Sequence, residues 1–219
     1  MHKKNKINYM ITEDKINANY LKFIQYLEKY NCYSEQMIIE IGDKIKIAPY
    51  SAQLEFGGAE PGGLIDVTLN TLCRIGAEIN QYAFGNNGNT DKPINHPLLC
   101  VNQNMLMKVL LLINISKVVS FIPNDSTWHK EKLGKMYNFI DFNTRLKLGQ
   151  RSIYLCQKYG ITLEEEEFEA FLALDNISIE DGENYHSPLY VLVKSAIMFT
   201  NIELYKKQKN NTIKNIIEN

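Results

Sequence analysis

The 219-residue chain carries 24 Lys and Arg against 25 Asp and Glu, and 45% of its residues are hydrophobic. That is enough apolar material for one sizeable core, while the near-neutral balance offers no general attraction to polyanions, so nucleic acid is not an expected partner. No apolar run reaches the roughly 18 residues of a membrane span. The basic start at 1–6 leads into Ile7-Asn8-Tyr9-Met10 rather than a long apolar stretch, so a soluble protein of the cytoplasm is expected, with no membrane partner.

In chain order, Ile16, Tyr20, Ile24 and Leu27 recur at three- and four-residue steps, with acids early and Lys29 late, which predicts an amphipathic helix over 13–30. Residues 34–47 read as a short helix followed by an irregular stretch, interrupted at Gly42 and stopped by Pro49. The glycine-rich run 56–63 opens onto 64–79, where Leu64, Val67, Leu72, Ile75 and Ile79 share a helical face. With no G-x-x-x-x-G-K-[ST] and no preceding apolar strand, those glycines predict a tight helix start rather than a phosphate loop.

A polar loop spans 82–96, and Pro97 opens a helix to about Val118. Its centre, 105–113, is apolar nearly all round and so belongs in the middle of a core. Asn124-Asp125-Ser126 supplies caps for a helix over 127–136, and 137–142 suits a short extended piece. A helix over 145–159 stops at Gly160. Thr162 then caps the next helix, with Glu165 closing a capping box and the acids at 164–167 forming a solvated first turn. A second polar loop at 176–186 precedes the last strong helix, from Pro188 to about Lys206. Without repeats or a dividing linker, the chain is expected to be one all-α domain. It would hold about seven to nine helices with its core at 13–206, and 1–10 and 207–219 would be loose tails. Cys32, Cys73, Cys100 and Cys156 are widely spaced, lack C-x-x-C pairing, and are expected to be buried reduced thiols.

Tyr50-Ser51-Ala52, Phe56 and the run PGGLIDVTLN at 61–70 are similar to a pattern in which one histidine precedes G-G-L and another follows it, as G-G-L-x-x-H-[ST]-L. The run LLINISKV at 111–118 is similar to L-L-H-D-[IL]-x-K-[IV], and similarity continues through 124–134 and 151–161 into the acidic helix. In this order, over about residues 50–203, the stretches resemble the HD-domain phosphohydrolases, in the version common among phage proteins and related to the HD exoribonucleases. The resemblance implies an HD-type helical bundle. It also implies a chemistry in which histidines and aspartates hold a divalent ion that activates water against a phosphate ester.

Carried across residue by residue, the family's ligand positions fall at Gly57, Val67, Ile113, Asn114 and Ile197, with a further frequent histidine near Leu174. Only Asn114 offers a donor, and one neutral amide cannot stand in for several imidazoles and carboxylates. The resemblance therefore implies a degenerate member with no catalytic residue, no metal or other cofactor, and a packed, dry pocket. The four histidines, His2, His96, His129 and His186, are scattered, and Asp66 is turned about 100° from Val67 on a helix, so they do not rebuild a site.

Trp128 and His129 match a family stretch near the pocket mouth, Lys117 matches the lysine that follows H-D, and Arg151 matches a further family position; all four are candidates for residual ligand binding. Their structural alternatives are a snorkelling helix lysine, a tryptophan covering the core, and an arginine paired with Glu165 or Glu167. The expected function is a protein-binding or structural scaffold, and the similarity to the phage version of the family implies a phage-encoded chain. A nucleotide-binding sensor using the old pocket and a phosphohydrolase with an atypical metal site are the alternatives.

Overall fold

The computed structural model describes residues 11–84, 100–175 and 186–217. Most of the two expected polar loops, and the expected start of a helix at Pro97, lie outside the described residues. What is described is an all-α bundle with one two-stranded ribbon.

α1 (Glu13–Lys29) starts where the Thr12 hydroxyl accepts from the Lys15 amide at 3.3 Å. α2 (Glu35–Ile47) is capped by Ser34, whose hydroxyl also donates to the Tyr159 carbonyl at 2.8 Å, tying this start to a segment 125 residues away. Gly42 does not break α2. It is a contact point, because a Cβ there would lie 2.8 Å from the Tyr20 hydroxyl on α1.

The chain then folds back on itself. The Tyr50 amide donates to the Gly58 carbonyl at 2.7 Å, and Leu64 N–H donates to the Ala48 carbonyl at 3.0 Å. Gly57, Gly58 and Gly62 hold positive φ, and a Cβ at Gly58 would meet the Tyr50 Cβ at 2.8 Å, so the glycine run is a tight start to α3 (Gly63–Phe84).

α4 (Gln103–Leu112) is the central helix, touching α1 and α3 on one side and the late helices on the other, with Leu106, Val109 and Leu112 fully buried. The apolar run predicts one uninterrupted helix to Val118. The structure instead tightens at 113–116 before resuming as α5 (Lys117–Ser120). The physical reason is Ser152, whose hydroxyl donates to the Ile113 carbonyl at 2.7 Å and accepts from the Ser116 amide at 3.2 Å. Ile115, Lys117 and Val118 accordingly bond three residues back, and this tighter winding turns Lys117 away from the phase it would have on a continuous helix.

β1 (Phe121–Pro123) and β2 (Tyr137–Phe139) pair antiparallel around α6 (Thr127–Leu133); only the second strand is visible in the sequence pattern. α7 (Leu148–Lys158) and α8 (Glu165–Phe171) follow. The cap of α8 is Glu164 rather than Thr162, with the Glu164 amide donating to Glu167 Oε2 at 2.9 Å. α9 (Pro188–Ile217) packs on α8, α3 and α4 and continues well past Lys206, because no further glycine or proline interrupts it.

Candidate functional site

Three helical segments bring the compared ligand positions together. Val67 on α3, Ile113 and Asn114 in the turn after α4, and Ile197 on α9 surround a single void of about 10 Å³, closed further by Tyr50, Leu110 and Thr200. That volume is at the lower limit for one water. Gly57 stands apart, on the wall of an outer cleft where a Cβ would press on Leu204 at 3.2 Å, and Leu174 packs against the core from a 3-10 turn, Leu172–Asp175. Asn114 is buried, and its Oδ1 meets no hydrogen-bond donor among the described residues. A divalent ion binds six or more oxygens or a set of imidazoles and carboxylates. One amide oxygen and the neutral hydroxyls of Thr68, Thr71, Thr200 and Tyr50, with no carboxylate or imidazole beside them, do not fit such an ion. No group of three or more His, Cys, Asp or Glu side chains able to hold a metal occurs among the described residues.

Next to this closed position lies an open one. A cavity of about 470 Å³ is lined by Tyr50 and Ser51 from the α2–α3 connection, by Phe121 and Phe139 of the ribbon, by Leu148, and by Asn201 and Tyr205 of α9. Lys117 is its cation. The side chain is only 7% exposed, so it does not snorkel; its Nζ sits 3.4 Å from the centroid of the Tyr50 ring. Burial pushes the Lys117 ammonium down to about 7 and the Tyr50 phenol up to about 12. The Tyr50 hydroxyl is held by donation to Asn201 Oδ1 at 3.1 Å.

The other matched residues do not join Lys117. Trp128 is 58% exposed on α6, an edge-on neighbour of the His129 ring at 5.3 Å, and so does not cover the core; neither residue lines the cavity. Arg151 stacks on the Phe142 ring at 3.5 Å and donates to the Thr144 and Leu146 carbonyls, which fastens the segment before α7. It pairs with neither Glu165 nor Glu167. Glu167 instead leaves the solvated acidic turn altogether: it is 1% exposed and accepts from Lys108 Nζ at 2.7 Å, in a buried pair linking α8 to α4. The cysteines also divide. Cys32 and Cys156 are buried, their thiols pushed up to about 12 by that burial, whereas Cys73 and Cys100 are exposed.

Periodicity identifies none of the cavity's other walls. Tyr50 sits in a connection, Phe139 in a three-residue strand and Tyr205 on the far helix, with no common spacing. His186 likewise meets its partners only in the fold, bonding Glu169 Oε1 through Nδ1 at 2.9 Å and stacking on Tyr190 at 3.8 Å.

No helix among the described residues is long and apolar enough to cross a membrane. Comparison of the chain with protein-family models, with curated proteins and with solved structures finds no match.

Proposed function

We propose that this chain is a catalytically degenerate protein of HD type that acts by binding another protein. The observation that carries the reading is the closure of the compared ligand positions: Val67, Ile113, Asn114 and Ile197 meet around about 10 Å³ and present one amide among aliphatic groups. A site that polarised water against a phosphate ester would require charge at that point. Exposed apolar residues on α9 support the protein-binding part, since Val191, Met198 and Ile202, at steps of seven and four, lie along one side of the helix with Phe199 beside them. A nucleotide sensor using the old pocket would require several cations around one cavity, and of Lys117, His129 and Arg151 only Lys117 lines the cavity of about 470 Å³ beside it.

The test has two parts. The purified 219-residue chain is assayed for bound metal and for hydrolysis of bis(p-nitrophenyl) phosphate and nucleoside triphosphates with Mn²⁺ or Mg²⁺. The reading expects no stoichiometric metal and no turnover above a protein-free control, and metal-dependent turnover refutes it. Capture of partners from the native host is then compared between wild type and a Met198→Glu, Ile202→Glu double variant with matched melting temperature. Loss of a specific protein by the variant is the expected result; unchanged capture refutes the α9 surface.

A further inference from the structure

We propose that the cavity over Lys117 is a binding site for a small apolar molecule bearing a single carboxylate. Its volume of about 470 Å³ falls within the range of small-molecule sites. The charge count defines the ligand: among the described residues Lys117 is the one ionic side chain on the wall, and no Asp or Glu opposes it. Among the described residues the ammonium meets no hydrogen-bond acceptor; its neighbour is the Tyr50 ring face, which attracts a cation but offers no lone pair. A buried charge left this way is unfavourable, and a carboxylate brought to Nζ supplies both the opposite charge and the missing acceptor.

The remaining wall polarity is largely engaged within the fold. Ser51 Oγ lies 2.6 Å from the Gly57 carbonyl and 2.9 Å from that of Gln53, and the Tyr50 hydroxyl is held by Asn201. Around the mouth stand Phe56, Phe139 and Tyr205, aromatic side chains that are each more than half exposed. Phe139 is held in place by the ribbon and by the Phe121 ring at 4.6 Å. The ligand that fits this arrangement puts its acid at the floor and an aromatic or aliphatic body between the rings. A polyphosphate does not match a wall with one positive charge. The inference does not rest on the protein-binding reading.

The experiment measures binding of 2-naphthoate and decanoate to the 219-residue chain by calorimetry and thermal melts. Their neutral counterparts, 2-naphthylmethanol and decanol, and inorganic phosphate and ATP serve as comparisons. The expected result is one-to-one binding of at least one acid, at least tenfold tighter than its alcohol. Lys117→Met should abolish that preference while still binding the alcohol, and Phe139→Ala should weaken acid and alcohol alike. The proposal is overturned if neither acid binds at millimolar concentration, if acid and alcohol bind equally, if Lys117→Met keeps the preference, or if only phosphate or ATP binds. Because removal of a buried charge favours folding, Lys117→Met remains a usable variant.

Discussion

Replacing Lys117 by methionine should stabilise the protein, and by an amount that depends on pH in a defined direction. Burial lowers this ammonium from 10.5 to about 7. At about 1.4 kcal/mol per unit, the charged side chain therefore costs on the order of 5 kcal/mol in the folded state. The contact with the Tyr50 ring at 3.4 Å offsets part of that, roughly 1–2 kcal/mol, so the expected gain for Lys117→Met at pH 6 is about 3 kcal/mol. For a domain of this size that corresponds to roughly 6–12 °C in melting temperature.

The sign follows from proton counting. Between about pH 7 and 10.5 the unfolded chain holds a proton that the folded chain has released, so wild-type stability rises with pH across that window. Below pH 7 both states are protonated and the full cost is present. The melting gap between variant and wild type should be widest at pH 6, then shrink steadily through pH 8 and 9.5. Taking the difference between the two proteins removes every other titrating group. A gap that stays constant over this range, or a variant that melts below wild type, refutes the burial argument.

Ile113→Ala should cost about 2–4 kcal/mol in chemical denaturation, as for other fully buried aliphatic residues; a loss under about 1 kcal/mol would show that the position is not packed. Lys108→Met leaves the buried Glu167 carboxylate without its ammonium and should cost about 3 kcal/mol or more, with Glu167→Gln in the same chain restoring over half. Strict additivity in that double-mutant cycle would refute the pair. Alkylation of the native chain, mapped by mass, should label exposed Cys73 quickly and spare Cys32 and Cys156 until denaturant is added. Equal labelling of all three in the native state would contradict their burial.

Much of the fold was legible in the amino-acid order, because helices obey local rules. The three- and four-residue spacing of apolar groups gave α1, α3 and α7 close to their observed bounds, and the capping serine at 126 and the apolar wrap of α4 meant the same things in the structure as in the sequence. Of the five positions named from sequence similarity, Val67, Ile113, Asn114 and Ile197 are among the residues lining one small void, whereas Gly57 lies on the outer cleft.

What only the tertiary structure decided is which side chains lose their water. Local spacing makes Lys117 a surface lysine and Glu167 a solvated acid. Ser152, on another helix, rewinds the turn before Lys117 and sends it under Tyr50, while Lys108, 59 residues away, draws Glu167 into the core. Desolvation, and with it charge state and ligand preference, is set by groups distant along the chain, and no periodicity within one helix encodes them.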